Sequence, residues 1–206
     1  MRRLVLAFDC DDVLVRTSNI IVEKYNRLYG TSVELDAFYR RGDTWQAESN
    51  DEAIRRVDAI LRAGTIDEII PDMEAVRALN HLSTAHELHL VTGRQDYMEP
   101  ATLRLLDTYF PGCFTGVEHT NYITVADSGY RRRSKGEVCS QIGADVLIDD
   151  HVVHGESVLA AGVGEVIVFG DYPWNNSLEL PTGMRRCLRW FGDGGVVKEI
   201  ERIASR

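Results

Sequence analysis

The feature that most constrains this chain is the run Leu4-Val5-Leu6-Ala7-Phe8, which stops abruptly at Asp9 and is followed by a second acid at Asp11. An apolar run of this length without polar interruption matches a strand buried on both faces, as in sheets covered by helices on either side. A buried strand that opens onto paired carboxylates puts negative charge at the mouth of a sheet. Repulsion there is costly unless a cation lies between the acids, and oxygen ligands select a hard cation. Acids also cap the turns that follow strands, so this segment alone leaves both readings open.

Three later segments tip the balance. Leu88-His89-Leu90-Val91 is a second apolar run and ends in Thr92-Gly93-Arg94, while Val146-Leu147-Ile148 is a third and ends in Asp149-Asp150. Between them, Ser134-Lys135-Gly136-Glu137 reads as a capping box that sets Lys135 in the first turn of a helix. An open parallel sheet binds ligands outside the carboxyl ends of its strands. Here those ends carry the groups that a phosphate and a metal need.

Taken in order, Asp9-x-Asp11, Thr92-Gly93, Lys135 and Asp149-Asp150 resemble the haloacid dehalogenase-like (HAD) superfamily of phosphohydrolases. The short insertion after the first motif and the late Gly170-Asp171-Tyr172-Pro173-Trp174-Asn175 are most similar to the 5'(3')-deoxyribonucleotidase, or 5'-nucleotidase type C, group. The resemblance implies a Rossmannoid three-layer α/β/α core with a central parallel sheet, formed by residues 1–15 and 71–206. Residues 16–70 become a small helical cap over the site. It also implies Mg2+-dependent hydrolysis of a phosphate monoester, foremost a nucleoside 5'-monophosphate, through an aspartyl-phosphate intermediate.

In this reading Asp9 is the nucleophile, while Asp11 protonates the departing alkoxide and then activates water. Asp9, Asp149 and the backbone carbonyl of Asp11 hold the metal, and Asp150 supports them through water or by orienting ligands. Thr92, Gly93 and Lys135 bind phosphoryl oxygens, Lys135 aided by the partial charge of its helix N-terminus. The acid at Asp11 favours ester hydrolysis over halide displacement, which needs no proton donor. The chain departs from many relatives in having Asp12 where they have Gly and Val13 where they have Thr. If the turn needs a positive φ, Asp12 adopts it less readily than Gly.

The remaining pattern alternates strands and helices. Thr17, Ser18 and Asn19 offer caps for a helix carrying Ile21, Tyr25 and Leu28 and ended by Gly30. A second helix starts near Ser49 or Asn50, with Ile54, Val57, Ile60 and Leu61 on one face. Between them, Phe38, Tyr39 and Trp45, with Arg40 and Arg41 close by, provide either a stacking surface for a base or plain lid packing. Pro71-Asp72 restarts the core with a helix carrying Val76, Leu79 and Leu82. Pro100 opens the next, with Leu103 and Leu106 facing inward. Phe114 to Val117 reads as a short strand, Ile123 to Val125 as a strand or an extended loop, and Arg131 to Arg133 as a solvated loop rather than a substrate clamp. His151 and His154 read as loop or helix-start residues, since an oxygen-rich metal site does not need them. Val166 to Phe169 is the last buried strand, and a helix with Val197, Ile200 and Ile203 closes the chain.

Composition narrows the partners. A formal charge of -9 argues against a nucleic-acid polymer but not against a small phosphate ester, whose charge is met locally. Cys10, Cys113, Cys139 and Cys187 form no C-x-x-C pair, which favours reduced, buried thiols in a cytoplasmic protein. Asp9 cuts the first apolar run too short for a signal peptide, and no stretch reaches the length of a membrane span, so no membrane partner is expected. Two other functions remain open. One is a phosphatase for a sugar phosphate or other small metabolite with the same core, and the other is a non-catalytic binder of phosphate ligands. Binding alone does not demand both Asp9 and Asp11.

Overall fold

A computed structural model of the protein describes residues 2–40, 45–122, 129–177 and 179–206. Its strands are β1 (Val5–Phe8), β2 (Glu87–Thr92), β3 (Gly116–His119), β4 (Val146–Asp149), β5 (Glu165–Phe169) and β6 (Met184–Cys187). The helices are α1 (Thr17–Tyr29), α2 (Asn50–Arg62), α3 (Met73–Leu82), α4 (Glu99–Tyr109), α5 (Lys135–Gln141), α6 (Val152–Ala160) and α7 (Val196–Ala204). The strands form one sheet in the order β3-β2-β1-β4-β5-β6, and every neighbouring pair is parallel. Parallel neighbours need crossovers, which explains the helices between them.

Alternation along each strand divides the core between the two faces of the sheet. Leu6 and Phe8 of β1 pack with Leu79, Leu82, Leu106, Ile200 and Ile203 on one side. Ala7, between them, packs with Leu147, Val166, Val138 and Val158 on the other. The chain runs from β1 outward to β2 and β3, then returns to β4 on the opposite flank of β1. The carboxyl ends of β1 and β4 therefore flank the point where strand order reverses, where sheets of this kind hold ligands.

The segment between β1 and α3 buries a cluster of its own, including Ile21, Val22, Tyr25, Val33, Trp45 and Ile60. Where it leaves and rejoins the core, Val15 is bridged to Pro71, and the Asp72 N–H donates to the Leu14 carbonyl at 3.0 Å. Ser49 caps α2 and Asp72 caps α3 through their side chains. At α1 the expected caps do not operate. Instead the Asp12 carboxylate, six residues upstream, accepts from the Ser18 N–H at 3.2 Å and the Ser18 hydroxyl at 2.8 Å. Asp12 takes φ 58° to do so.

The structure corrects several expectations. The last strand is β6, not β5; its sequence Met-Arg-Arg-Cys has no apolar run to mark it. Arg185 instead reaches Glu199 at 2.8 Å, and Arg186 donates to the Asn175 carbonyl at 2.7 Å. The third strand begins at Gly116, so Phe114 is a packing residue before it, edge-on to Phe8. Gly116 leaves room for the His89 ring on the adjacent strand, since a Cβ there would lie 2.7 Å from His89 Nδ1. Leu103 faces solvent, whereas Leu105 and Leu106 face inward. Within the Arg131 to Arg133 run, Arg133 pins its loop to Glu118 and the His119 carbonyl, both at 2.8 Å. Arg41 and the Ile123 to Val125 segment lie outside the described residues. All four cysteines are buried thiols, and among the described residues no helix is long and apolar enough to cross a membrane.

Candidate active site

Asp9 follows β1 directly, and its N–H still donates to the Ile148 carbonyl of β4 at 2.9 Å. This pairing brings Asp9 beside Asp149, the last residue of β4. Both are buried, and both meet Lys135. Its Nζ lies 2.8 Å from Asp9 Oδ1 and 2.7 Å from Asp149 Oδ2.

The position of Lys135 follows from local sequence. Ser134 and Glu137 complete a reciprocal capping box that fixes the start of α5. Gly136 then allows α5 to lie against α6, since a Cβ there would be 2.3 Å from the Ser157 carbonyl oxygen.

The remaining motif residues converge on the same crevice. Thr92, at the end of β2, is fully buried, and its hydroxyl accepts from the Arg94 N–H at 3.2 Å. Gly93 lines the cavity that opens above Asp9 and Lys135. Asp149 Oδ1 accepts from the His151 N–H at 2.8 Å. His151 is the N-cap of α6, in keeping with its expected helix-start position.

The electrostatics are those of a site crowded with acids. Burial pushes the Asp9 carboxyl up to about 7, opposed by Lys135 and reinforced by Asp149 and Asp11. Asp150 rises well above the carboxylate range, through burial first and then repulsion from Asp149 and Asp9. Burial also acts on Asp149, but Lys135 outweighs it and holds that carboxyl low. Oxygens of Asp9, Asp149 and Asp150 lie within 4.8 Å of one another. Asp150 Oδ1 is buried with no hydrogen-bond partner, a costly state for a carboxylate oxygen. Three carboxylates against one ammonium, an all-oxygen donor set and an orphaned oxygen aimed into the cluster fit a hard divalent cation such as Mg2+.

Asp150 contributes an oxygen to the cluster, and its Oδ2 accepts from Trp174 Nε1 at 2.6 Å. Asp11 is turned away from the cluster. Its carboxylate accepts from Arg94 Nε at 2.9 Å and Arg94 NH2 at 2.8 Å, and also from the Thr17 hydroxyl. Burial raises the Asp11 pKa, but the guanidinium more than offsets this and keeps it low. Arg94 itself is buried and donates also to the Thr102 hydroxyl at 3.1 Å.

The sequence reading assigned Arg94 no role. The available signal was its place beside Thr92-Gly93 at the mouth of the sheet. Asn175 enters the sequence reading only as the end of the late motif, with no role of its own. Its amide donates to the Asp150 carbonyl at 2.8 Å and the Phe169 carbonyl at 3.0 Å, so the late Tyr172 to Asn175 segment buttresses the acidic cluster.

Of the cap aromatics, Phe38 and Tyr39 line the cavity, and Tyr39 packs edge-on to Trp174. Trp45 does not belong to this wall. It is buried in the cap, with Nε1 donating to the Ala37 carbonyl at 3.0 Å, and acts as lid packing.

No family model matches the chain, and no curated protein matches it by sequence. Solved structures do match its fold. A provisionally assigned phosphoglycolate phosphatase from Lactobacillus delbrueckii superposes with a TM-score of 0.65 at 15% identity, covering 99% of each chain. A provisionally assigned HAD-hydrolase from Bacillus subtilis bound to magnesium gives 0.63 at 15%, covering 100% of each. A provisionally assigned β-phosphoglucomutase from Thermotoga maritima gives 0.62 at 14%, covering 98% of this chain and 100% of that one. The six-stranded parallel sheet with flanking helices is the Rossmann-like α/β fold of these proteins.

Proposed function

We propose that the chain is a Mg2+-dependent phosphatase of the HAD-like superfamily that hydrolyses a small phosphate monoester. The observation that carries this reading is the Lys135 ammonium, buried between Asp9 and Asp149 beside a cavity. A carboxylate nucleophile cannot meet a phosphate dianion unless positive charge is already aimed at both. Asp9 attacks phosphorus and becomes the aspartyl-phosphate, while the leaving alkoxide takes a proton. Lys135, Thr92 and the backbone around Gly93 hold the phosphoryl oxygens. Asp9, Asp149 and Asp150 would hold Mg2+, which supplies charge neutralisation for the phosphoryl group when bound.

Asp11 is the acid and then the base in this scheme. Both of its oxygens are engaged by Arg94, so donating a proton requires that pair to open. Against the effect of burial, the Arg94 guanidinium holds the Asp11 carboxyl low, which favours the ionised form that the second half-reaction needs, when a proton leaves the attacking water.

The names of the structural neighbours favour a sugar phosphate or other small metabolite over a nucleoside monophosphate. Two observations agree. Trp45 is packed inside the cap, and the late Trp174-Asn175 segment that suggested a nucleotidase supports the acidic cluster. The test is phosphate release with Mg2+ from a generic aryl phosphate, sugar phosphates and nucleoside monophosphates. Asp9→Asn serves as the folded control, checked by circular dichroism. Release that is lost in Asp9→Asn supports the reading. No release from any ester, or full activity in the folded variant, overturns it. Nucleotides outpacing every other ester would restore the nucleotidase reading.

A further inference from the structure

We propose that the alcohol esterified to the phosphate is uncharged and apolar, aliphatic or aromatic, and lies against the cap. The inference rests on the phosphatase reading only in placing the phosphate end at Lys135, and among the small metabolites that reading leaves open it sets apolar esters against the sugar phosphates that the neighbours' names suggest. The wall above that end is described by its own side chains.

Helix α2 carries one broad apolar face. Ala53 and Ile60 are buried with Ile21 and Tyr25 of α1. Ile54, Val57 and Leu61, spaced by three and four residues, are half-buried and line the cavity. Val57 and Leu61 also pack against the cap's buried cluster, so the side of α2 that lines the cavity is the open edge of its one apolar face. Ile21 from α1, Ile66 after α2 and Met98 before α4 close the same wall.

The charges exclude the main alternatives. Among the described lining residues the cations are Arg94 and Lys135, and both are bound to carboxylates on the floor. A carboxylate or second phosphate on the substrate would therefore find no free cation among the described residues of the wall. Above the floor, the charged lining group among the described residues is Asp58. Its oxygens already accept from the Tyr97 hydroxyl and Arg62 Nε, each at 2.7 Å. A polyol would strip water from hydroxyls against Ile54, Val57, Leu61, Ile66 and Met98, which cannot replace those hydrogen bonds; the other hydrogen-bonding lining side chains, among them Thr17, Gln95, Tyr122 and His154, lie off α2. An apolar group loses nothing and gains burial.

The test measures two series in the presence of Mg2+, from methyl to octyl. Calorimetry gives the affinity of n-alkylphosphonates, and kinetics give kcat/KM for n-alkyl phosphates. The expected result is a gain of about fourfold per methylene until the wall is covered. Ile54→Asn and Leu61→Asn, at half-buried positions chosen so that the fold is kept, should each reduce that gain. Phosphonates bearing a carboxylate or several hydroxyls should bind more weakly than alkyl ones of equal size. A flat or falling slope in the wild type, or tighter binding of the polar phosphonates, overturns the proposal. The two readings separate cleanly. Affinity that rises with chain length without hydrolysis keeps the apolar class and removes the phosphatase. Hydrolysis with a flat slope does the reverse.

Discussion

Lys135 is 1% exposed, and its ammonium is the shared partner of Asp9 and Asp149. Removing one member of a buried ionic cluster typically costs about 3–5 kcal/mol, because the remaining charges are left uncompensated. Lys135→Met, similar in length but neutral, should lose roughly that much stability in urea unfolding without metal. Added Mg2+ should return part of the loss, since a cation can take over the neutralising role; a variant as stable as the wild type without metal would show that the acids are not jointly ionised. His154 gives a pH-dependent counterpart. Burial pushes its pKa from 6.5 to about 3, with only partial opposition from Asp149. The folded protein thus keeps His154 neutral where the unfolded chain binds a proton. Its contribution is fully present above 6.5 and is lost as pH falls toward 3, at up to about 1.4 kcal/mol per pH unit. The stability advantage of the wild type over His154→Gln should therefore shrink by about 2 kcal/mol between pH 7 and pH 5. Parallel curves would remove His154 from the account of acid sensitivity.

At the scale of elements, the close approach of α5 to α6 aims the Lys135 side chain. A Cβ at Gly136 would meet the Ser157 carbonyl oxygen at 2.3 Å and its carbon at 2.8 Å, and backbone cannot step aside as a flexible side chain can. Gly136→Ala should cost about 1–3 kcal/mol by overpacking. It should also depress kcat/KM for any accepted ester, because Lys135 is the next residue; an unchanged melting temperature with full activity would show that the helices part without consequence. What the sequence made legible follows the same logic of distance along the chain. The strands that end in Asp9, Thr92 and Asp149 declare themselves through an apolar run broken by a polar residue, and the Ser134–Glu137 box spans a single turn. Strand β6 could not be read, because its arginines are satisfied by Glu199 and Asn175 on other elements. The Asp11–Arg94 pair was hidden for the same reason, joining residues 83 positions apart. Leu103 misled because helical spacing identifies a face without saying how wide it is.

At the scale of the whole molecule, the acidic cluster ties ligand binding to folding. Three carboxylates gathered within 4.8 Å strain the metal-free protein, so a divalent cation should stabilise it by mass action, by about 2.7 kcal/mol at a hundredfold excess over Kd. Thermal scans should show a rise in Tm with Mg2+, reversed by a chelator. The rise should be smaller in Asp150→Asn, which replaces a candidate ligand carboxyl by a neutral amide; a Tm indifferent to Mg2+ would contradict the metal assignment. The parallel sheet was legible from the three strands that bear functional groups, but its strand order was not. Nor was the wall of the cavity, because Ile54 and Ile60 look alike until the partners of α2 are known. The bridge between Val15 and Pro71, with Asp72 bonded to Leu14, has one more consequence. It clasps the start and finish of the inserted helices side by side on the edge of the core, so the ends would remain adjacent whatever spanned them. Closing such a gap with a longer or shorter segment changes loop entropy only slowly with length. A segment of different length between Val15 and Pro71 should therefore leave the strands beneath it in register.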